Sequence, residues 1–216
     1  MPTTREALLD AALAALGELP WTAVRMVDVA AAAGVSRQTL YNEFGSKEGL
    51  ARALLRREAD AYLYGVERAL RATDHPAGPA APAVDRLVPV AEWTVGEAAA
   101  RPLLRALLTG CWDDRLPAPR PAPARSRVLA GSAAQRRADA GAPDPGELLA
   151  AVRDRSRAAL RREGDDPGGE ACELAARLAL SYLVAPAPAG SGMPEGDLGA
   201  LLRHALSATN RRAGDR

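Results

Sequence analysis

Polar side chains that could contact DNA bases cluster between positions 36 and 42, in the segment SRQTLYN. Leu40 and Phe44 lie four residues apart, which predicts a short helix with both side chains turned inward. The outer face then carries four residues, with Thr39 on its flank: Arg37, Gln38, Tyr41 and Asn42. Arg can form two hydrogen bonds to guanine, and Gln or Asn can do the same with adenine. The pattern therefore predicts a helix that reads base edges in the major groove.

A preceding helix and a tight turn must hold that face in place. The apolar residues Val27, Ala30 and Ala31 are spaced i, i+3 and i+4, which predicts that they form the buried face of the preceding helix. Gly34 stands where this helix must end in a left-handed residue, and Ser36 is a favourable N-cap for the next helix. Plain structural packing can also use this geometry, but the complete pattern favours a DNA-binding helix-turn-helix.

The combination of motif residues at this spacing resembles the TetR family of bacterial transcriptional regulators. The residues that carry the resemblance are Asp28, Val29, Ala30, Ala33, Gly34, Val35, Ser36, Leu40, Tyr41, Phe44, Lys47 and Leu50. They cover about the first quarter of the chain. The resemblance implies a DNA-binding domain followed by an all-helical domain that binds a ligand and dimerises.

Two positions depart from the family pattern, and one cation agrees with it. The family usually caps the first motif helix with Thr or Ser, whose hydroxyl contacts a phosphate, whereas Val24 and Arg25 stand here. That contact is therefore expected from Arg25. Glu43 replaces a common His, so base preference cannot be carried over. Lys47, the only lysine in the chain, matches a phosphate-contacting lysine of the family.

Overall charge sets a limit on how the chain can bind DNA. With 28 Lys and Arg residues against 27 Asp and Glu residues, the net charge is only +1. Bulk basicity of the kind that marks nonspecific nucleic-acid binders is absent from the sequence. Affinity for DNA must therefore come from where the cations are placed.

Helical periodicity continues along the chain and predicts an all-α fold. Thr3 and Glu6 form a capping box for the first helix, whose predicted buried stripe is Leu9, Ala12, Leu13 and Leu16. A long helix is expected from about Lys47 to about Ala72. It would join an N-terminal three-helix domain, residues 1–58, to a helical ligand-binding and dimerisation domain, residues 59–216. Trp21 is expected to pack within the first domain.

The remaining helices are separated by segments rich in proline and glycine. Further helices are predicted near residues 84–95, 102–110, 126–138, 144–163, 166–182 and 198–206. Breaker segments at 74–83, 113–125 and 185–196 lie between several of them, and 113–125 is expected to be an exposed loop. The alternation typical of β-strands is missing from the sequence.

The helices near 168–184 and 195–209 are candidates for a homodimer contact. They carry small residues and leucines at helical spacing: Ala171, Ala175 and Ala179, then Leu198, Leu202 and Leu206. Packing within one chain would produce the same pattern, so the residues alone leave both interpretations open. The expected target is a palindromic operator in double-stranded DNA. Such a target favours a dimer, because two recognition helices on a twofold axis read two half-sites.

An inducer pocket inside the helical domain is a further implication of the resemblance. The candidate lining residues are mostly apolar or aromatic: Tyr62, Tyr64, Leu87, Val90, Trp93, Leu104, Leu107, Cys111, Trp112 and Tyr182. Each could equally be a core residue. A small apolar or aromatic ligand is expected, and its binding would release a repressor from DNA. The alternative is a ligand-independent regulator, or an activator, of the same fold.

Other function classes find little support. Two histidines and two cysteines, His75, His204, Cys111 and Cys172, are too scattered for a metal site, and neither a phosphate-binding loop nor a nucleophile elbow is present. The sequence therefore predicts neither an enzyme nor a cofactor. Because it contains no apolar stretch of about 18 residues, no membrane span is expected, and the two cysteines fit a cytoplasmic location.

Overall fold

The computed structural model describes residues 3–71, 83–119, 142–162, 168–185 and 198–214, and the regular structure in these ranges is entirely helical. The helices are α1 (Thr4–Glu18), α2 (Met26–Ala32), α3 (Arg37–Phe44), α4 (Lys47–Arg71), α5 (Ala83–Ala100), α6 (Pro102–Thr109), α7 (Pro145–Arg162), α8 (Gly168–Val184) and α9 (Leu198–Gly214). The all-α prediction is confirmed. The helix predicted at 126–138 and most of the breaker segments lie outside the described residues.

The chain divides into two compact units, and neither is continuous in sequence. The first unit comprises Met1–Ala59 with Cys111–Pro143, and the second comprises Asp60–Gly110 with Asp144–Arg216. The boundary between Ala59 and Asp60 falls inside α4, close to the domain boundary predicted between residues 58 and 59. The grouping of the segment after α6 with the N-terminal helices has no counterpart in the sequence pattern.

In the first unit, α1 begins at the predicted capping box. The Glu6 amide donates to the Thr3 hydroxyl over 3.2 Å, and the Thr3 amide donates to the Glu6 carboxylate over 2.7 Å. The buried residues of α1 are Leu8, Leu9 and Ala12, whereas Leu13 is exposed and was wrongly assigned to the buried face. The buried stripe therefore lies one position earlier than predicted. Apolar residues occur on both sides of it, so periodicity alone did not fix its centre.

The buried face of α2 also differs from the prediction. Met26, Val29 and Ala30 are buried, while Val27 is 48% exposed and Ala31 is exposed as well. Both sets have i, i+3, i+4 spacing, so the spacing could not distinguish between them. Met26 and Val29 bury larger apolar side chains than Ala31 would, which favours the observed face.

The second unit packs α5 against α8 and α9, with α7 on α8. Its α7 starts at a second capping box, in which the Glu147 amide donates to Asp144 over 2.8 Å and the Asp144 amide donates to Glu147 over 3.0 Å. The two stripes named for the dimer contact are buried inside the single chain: Ala171, Ala175, Ala179, Leu198, Leu202 and Leu206. Those side chains therefore belong to the core of the protomer. Of the two interpretations that the sequence left open, packing within one chain and a dimer contact, the structure favours packing within one chain for these residues.

Candidate functional site

A tight turn between α2 and α3 sets the direction of α3. Gly34 has φ +68°, the left-handed conformation that glycine adopts at little cost. The Val35 amide donates to the Ala30 carbonyl over 3.0 Å, which closes the turn. Ser36 then caps α3, because its hydroxyl accepts the Thr39 amide at 3.0 Å and lies 2.8 Å from the Thr39 hydroxyl. The turn and the cap predicted from the sequence are confirmed.

The outer face of α3 is free of the protein core. Leu40 and Phe44 are buried behind it, as predicted, and the side chains of Arg37, Gln38, Tyr41 and Asn42 are exposed. Thr39 is half-buried on the flank. The Arg37 guanidinium lies 5.3 Å from the centroid of the Tyr41 ring, a cation–π contact that restrains both side chains. This face presents four side chains that can form hydrogen bonds outward.

Contacts from α1 hold the C-terminal end of α3. Arg5 donates to the Glu43 carbonyl over 3.2 Å and pairs with its carboxylate at 3.4 Å. The same guanidinium lies 4.6 Å from the centroid of the Phe44 ring. Glu43, which departs from the family pattern, therefore has a structural partner in this chain. The sequence indicated no such role, since Arg5 and Glu43 lie far apart along the chain.

Two cations stand at the first turns of α2 and α4. Arg25 is the N-cap residue of α2 and pairs with Asp28, with Nε donating over 2.8 Å and Nη2 over 3.2 Å. These hydrogen bonds raise the pKa of Arg25. Lys47 begins α4 and donates to the Thr22 carbonyl over 3.3 Å. Partial burial lowers the pKa of the Lys47 ammonium group.

The segment after α6 packs beside these cations. The Trp21 amide donates to the Arg115 carbonyl over 2.7 Å, and the Lys47 ammonium group lies 5.2 Å from the centroid of the Trp21 ring. Between them is a groove of about 300 Å³, whose lining includes Asp114 and Leu116. Trp21 is half-buried and packs in the first unit as predicted. Most of residues 113–119 are exposed, as the prediction of an exposed loop expects, whereas Leu116 is half-buried and Pro117 is buried.

The second unit contains a small recess among its helices. Its volume is about 20 Å³, and it is lined by Tyr62, Leu87, Val90, Ala91, Thr94, Val152, Ser156, Cys172, Ala175, Ala176 and Ala179. The hydroxyls of Tyr62 and Thr94 are in hydrogen-bond contact at 3.1 Å. Burial raises the pKa of Tyr62 to about 12, although the hydrogen bond to Thr94 opposes this shift.

Of the ten candidate pocket residues, three line this recess: Tyr62, Leu87 and Val90. Trp93 is half-buried and stacks on Tyr62 with ring centroids 5.7 Å apart. Leu104 and Leu107 are buried elsewhere in the unit, Tyr182 is half-buried, and Tyr64 is 66% exposed. Cys111 and Trp112 belong to the first unit.

The sequence pattern did not indicate the polar and small residues of this wall, because only large apolar and aromatic side chains suggest a pocket lining by their type. Thr94, Ser156 and Cys172 contribute to the wall of the recess, and alanines of α8 form much of the rest. Cys172, Ala175, Ala176 and Ala179 follow i, i+3, i+4, i+7 spacing, which marks one helix face but not a cavity.

Within the described ranges, no group of three or more His, Cys, Asp and Glu residues could hold a metal ion. The helices described here also include none with the length and apolar character needed to cross a membrane.

Comparison with known proteins agrees with this geometry. Residues 8–54 match the family model described as bacterial regulatory proteins of the tetR family. The chain is 47% identical over 68 residues to the HTH-type transcriptional regulator AlkX of Mycobacterium tuberculosis, which is 32% of either chain. It is 40% identical over 85 residues to the HTH-type transcriptional repressor LfrR of Mycolicibacterium smegmatis, covering 39% of this chain and 42% of LfrR. The matches thus span well under half of these relatives.

Solved structures extend the likeness to the whole fold. The TetR-family repressor AlkX of Dietzia sp. aligns with a TM-score of 0.50 at 22% identity, over 95% of this chain and 92% of that one. A tetR-family regulator of Streptomyces coelicolor aligns with a TM-score of 0.51 at 20% identity, over 96% of this chain and 81% of that one. Residues 8–54 therefore match the TetR family model, and the helices described above share their fold with these solved structures.

Proposed function

We propose that this protein is a sequence-specific DNA-binding transcriptional regulator, and that it acts as a repressor released by a small-molecule ligand. The observation that carries the proposal is the exposed face of α3, with Arg37, Gln38 and Asn42 outward and Leu40 and Phe44 buried. A helix held in this way can enter the major groove with its N-terminal residues at the base edges. The relative LfrR is itself a repressor, which supports the sign of regulation.

The residues around α3 divide by the part of DNA they would contact. Arg37, Gln38 and Asn42 are assigned to bases, because their side chains form specific hydrogen-bond patterns. The phosphate contacts are assigned to residues at the helix starts and flanks: Arg25, Ser36, Thr39, Tyr41 and Lys47. Such contacts position the protein on DNA without reading sequence.

A gel-shift with DNA from the upstream region of the protein's own gene tests the function. A discrete complex that survives excess nonspecific competitor and is lost when the upstream sequence is scrambled would support sequence-specific binding. If no complex forms, selection from random DNA decides the question. Failure to enrich any palindrome would count against the proposed function.

Replacing Gln38 with alanine is expected to weaken binding to the cognate site by about 5- to 150-fold, or about 1–3 kcal/mol. The reason is the loss of a two-point contact to one base, so preference at that base should relax as well. Titration of operators with single substitutions measures both effects. Glu18→Ala, a change of an exposed residue at the end of α1, serves as control. Affinity within about twofold of the unsubstituted protein would exclude Gln38 from base recognition.

Lys47→Gln is expected to weaken binding to every DNA sequence by a similar factor. Removing one phosphate contact releases one counterion fewer, so the slope of log affinity against log salt should become shallower by about one unit. Titrations at several salt concentrations measure the slope. Arg203→Gln removes an exposed charge from the second unit and should leave the slope unchanged. A loss confined to the cognate site would show that Lys47 reads sequence instead.

The proposed homodimer uses faces of α8 and α9 that the protomer core leaves uncovered. Leu174, Leu178 and Tyr182 follow i, i+4, i+8 spacing on α8 and are only half-buried. On α9, Leu201 is 45% exposed. Burial of these apolar side chains against a second copy would stabilise a dimer. The dimer would present two copies of α3 to the half-sites of a palindromic operator.

Ligand release is proposed as a shift between two conformations. A ligand that prefers the form with lower DNA affinity would weaken operator binding by the ratio of its affinities for the two forms. The α4 helix contributes residues to both units, which supports coupling along one continuous helix. The small volume of the recess favours the alternative of a ligand-independent regulator or activator. A ligand that binds tightly without changing operator affinity would support that alternative.

A further inference from the structure

Glu43 places a carboxylate on the flank of α3 that is assigned to phosphate contacts. It is the only acidic residue of this helix, and it lies four residues after Thr39, one helical turn further along the same flank. The two positions are therefore about 6 Å apart along the helix axis. An unpaired carboxylate at position 43 would repel the phosphates that this flank approaches.

Glu43 also stands at the unfavourable end of α3 for a negative charge. It belongs to the last turn, where the backbone carbonyls of a helix concentrate partial negative charge. Its own carbonyl is one of the last four of the helix, which lack an amide partner within the helix. A cation that reaches both the carboxylate and the carbonyl would offset both effects.

Arg5 makes both of these contacts from the first turn of α1. Its Nη1 atom lies 3.2 Å from the Glu43 carbonyl oxygen and 3.4 Å from the Glu43 carboxylate. The guanidinium also lies 4.6 Å from the centroid of the Phe44 ring, and the Arg5 side chain is 25% exposed. These contacts hold the guanidinium against α3 and direct the carboxylate of Glu43 toward α1.

The first helix has an anchor that does not involve α3. Arg57 of α4 donates to the Asp10 carboxylate over 2.6 Å and to the Leu9 carbonyl over 3.1 Å. Arg57 thus has the same form of contact as Arg5, since each arginine joins two helices through one carboxylate and one carbonyl. The two side chains are also exposed to a similar degree, 28% for Arg57 and 25% for Arg5.

We propose that Arg5 is a positioning residue for DNA recognition, which neutralises the Glu43 carboxylate, holds it away from the phosphates and fixes the last turn of α3. Arg5 acts through Glu43 and makes no DNA contact of its own. The inference rests on the proposed DNA binding and adds to it a residue that lies outside the helix-turn-helix.

Titration of the full-length protein with its cognate site, found by gel-shift or by selection from random DNA, tests the inference. Arg5→Ala is expected to weaken binding by about tenfold, the order of effect of one unpaired negative charge near a phosphate. Arg5→Ala combined with Glu43→Gln should bind within about threefold of the unsubstituted protein, because the carboxylate that Arg5 neutralises is then absent. Arg5→Lys keeps a cation beside Glu43 and should also stay within about threefold.

Arg57→Ala is the matched control, because it removes an arginine of the same contact type from α1 without touching α3. Its affinity for the cognate site should stay within about twofold of the unsubstituted protein. Urea unfolding of every variant identifies conditions under which all of them are folded, and affinities are compared there. If Arg5→Ala does not fold, Arg5→Lys replaces it, and a tenfold loss in Arg5→Lys would contradict the proposed neutralisation.

Three results would overturn the inference. A double variant as weak as Arg5→Ala would show that Arg5 contacts DNA directly, and equal losses in Arg5→Ala and Arg57→Ala would show a role in stability alone. Affinity of Arg5→Ala within about twofold of the unsubstituted protein would show no role in binding. This last result contradicts only the inference, whereas failure of the unsubstituted protein to enrich any DNA contradicts the proposed function and the inference together.

Discussion

Replacing Leu201 with glutamate is expected to dissociate the proposed homodimer. In a twofold interface each substitution occurs twice, and burying an unpaired carboxylate in place of a leucine costs about 2 kcal/mol or more per copy. The dissociation constant of the dimer should therefore rise by about 1,000-fold. Folding of the protomer should be retained, because Leu201 is already 45% exposed on α9.

Sedimentation measurements over a range of protein concentrations give the dissociation constant directly. Leu13→Glu is the matched control, since it also replaces an exposed leucine, on α1, with the same charge. The Leu201 variant should bind a palindromic operator only as tightly as it binds an isolated half-site. A dimer of unchanged stability would place the interface on another surface.

Gly34→Val is expected to destabilise the helix-turn-helix by about 2–3 kcal/mol and to abolish DNA binding at the growth temperature. The glycine has φ +68°, and a β-branched side chain is strongly disfavoured there. Space is not the cause, because a Cβ at this position would meet no atom within 4 Å. The loss should therefore come from backbone strain alone.

The matched variant is Gly34→Asn, because asparagine tolerates the left-handed region better than valine does. Its cost should be below about 1 kcal/mol, because a short polar side chain that can hydrogen-bond locally reduces the penalty of the left-handed conformation. Urea unfolding followed by circular dichroism measures both variants. Equal losses for valine and asparagine would mean that the turn depends on something other than the sign of φ.

Much of the first unit follows from signals that lie within a few residues of each other. Gly34 ends α2 and Ser36 caps α3 because each makes its hydrogen bonds or adopts its φ locally. The same holds for the capping boxes at Thr3 and Asp144. Periodicity predicted that Leu40 and Phe44 face inward, and both are buried.

Periodicity was less informative wherever two faces of a helix had similar composition. Val27 and Val29 were equally compatible with the spacing, and only packing decided that Val29 is buried. The alanine stripe of α8 fitted a dimer contact and a core equally well, and packing within the protomer buries it. A helix pattern specifies which residues share a face, whereas the neighbouring helix determines which face is covered.

By itself, the sequence determined the helices, their caps, the turn at Gly34 and the outward set on α3, because these depend on residues within about one or two helical turns. Only the tertiary structure decided the contact of Trp21 with Arg115 and the recess that joins Tyr62, Thr94, Ser156 and Cys172. The residues of each set are distant along the chain and contribute no shared periodicity. They become neighbours through the packing of separate segments, which maximises apolar burial, and no local pattern records that geometry.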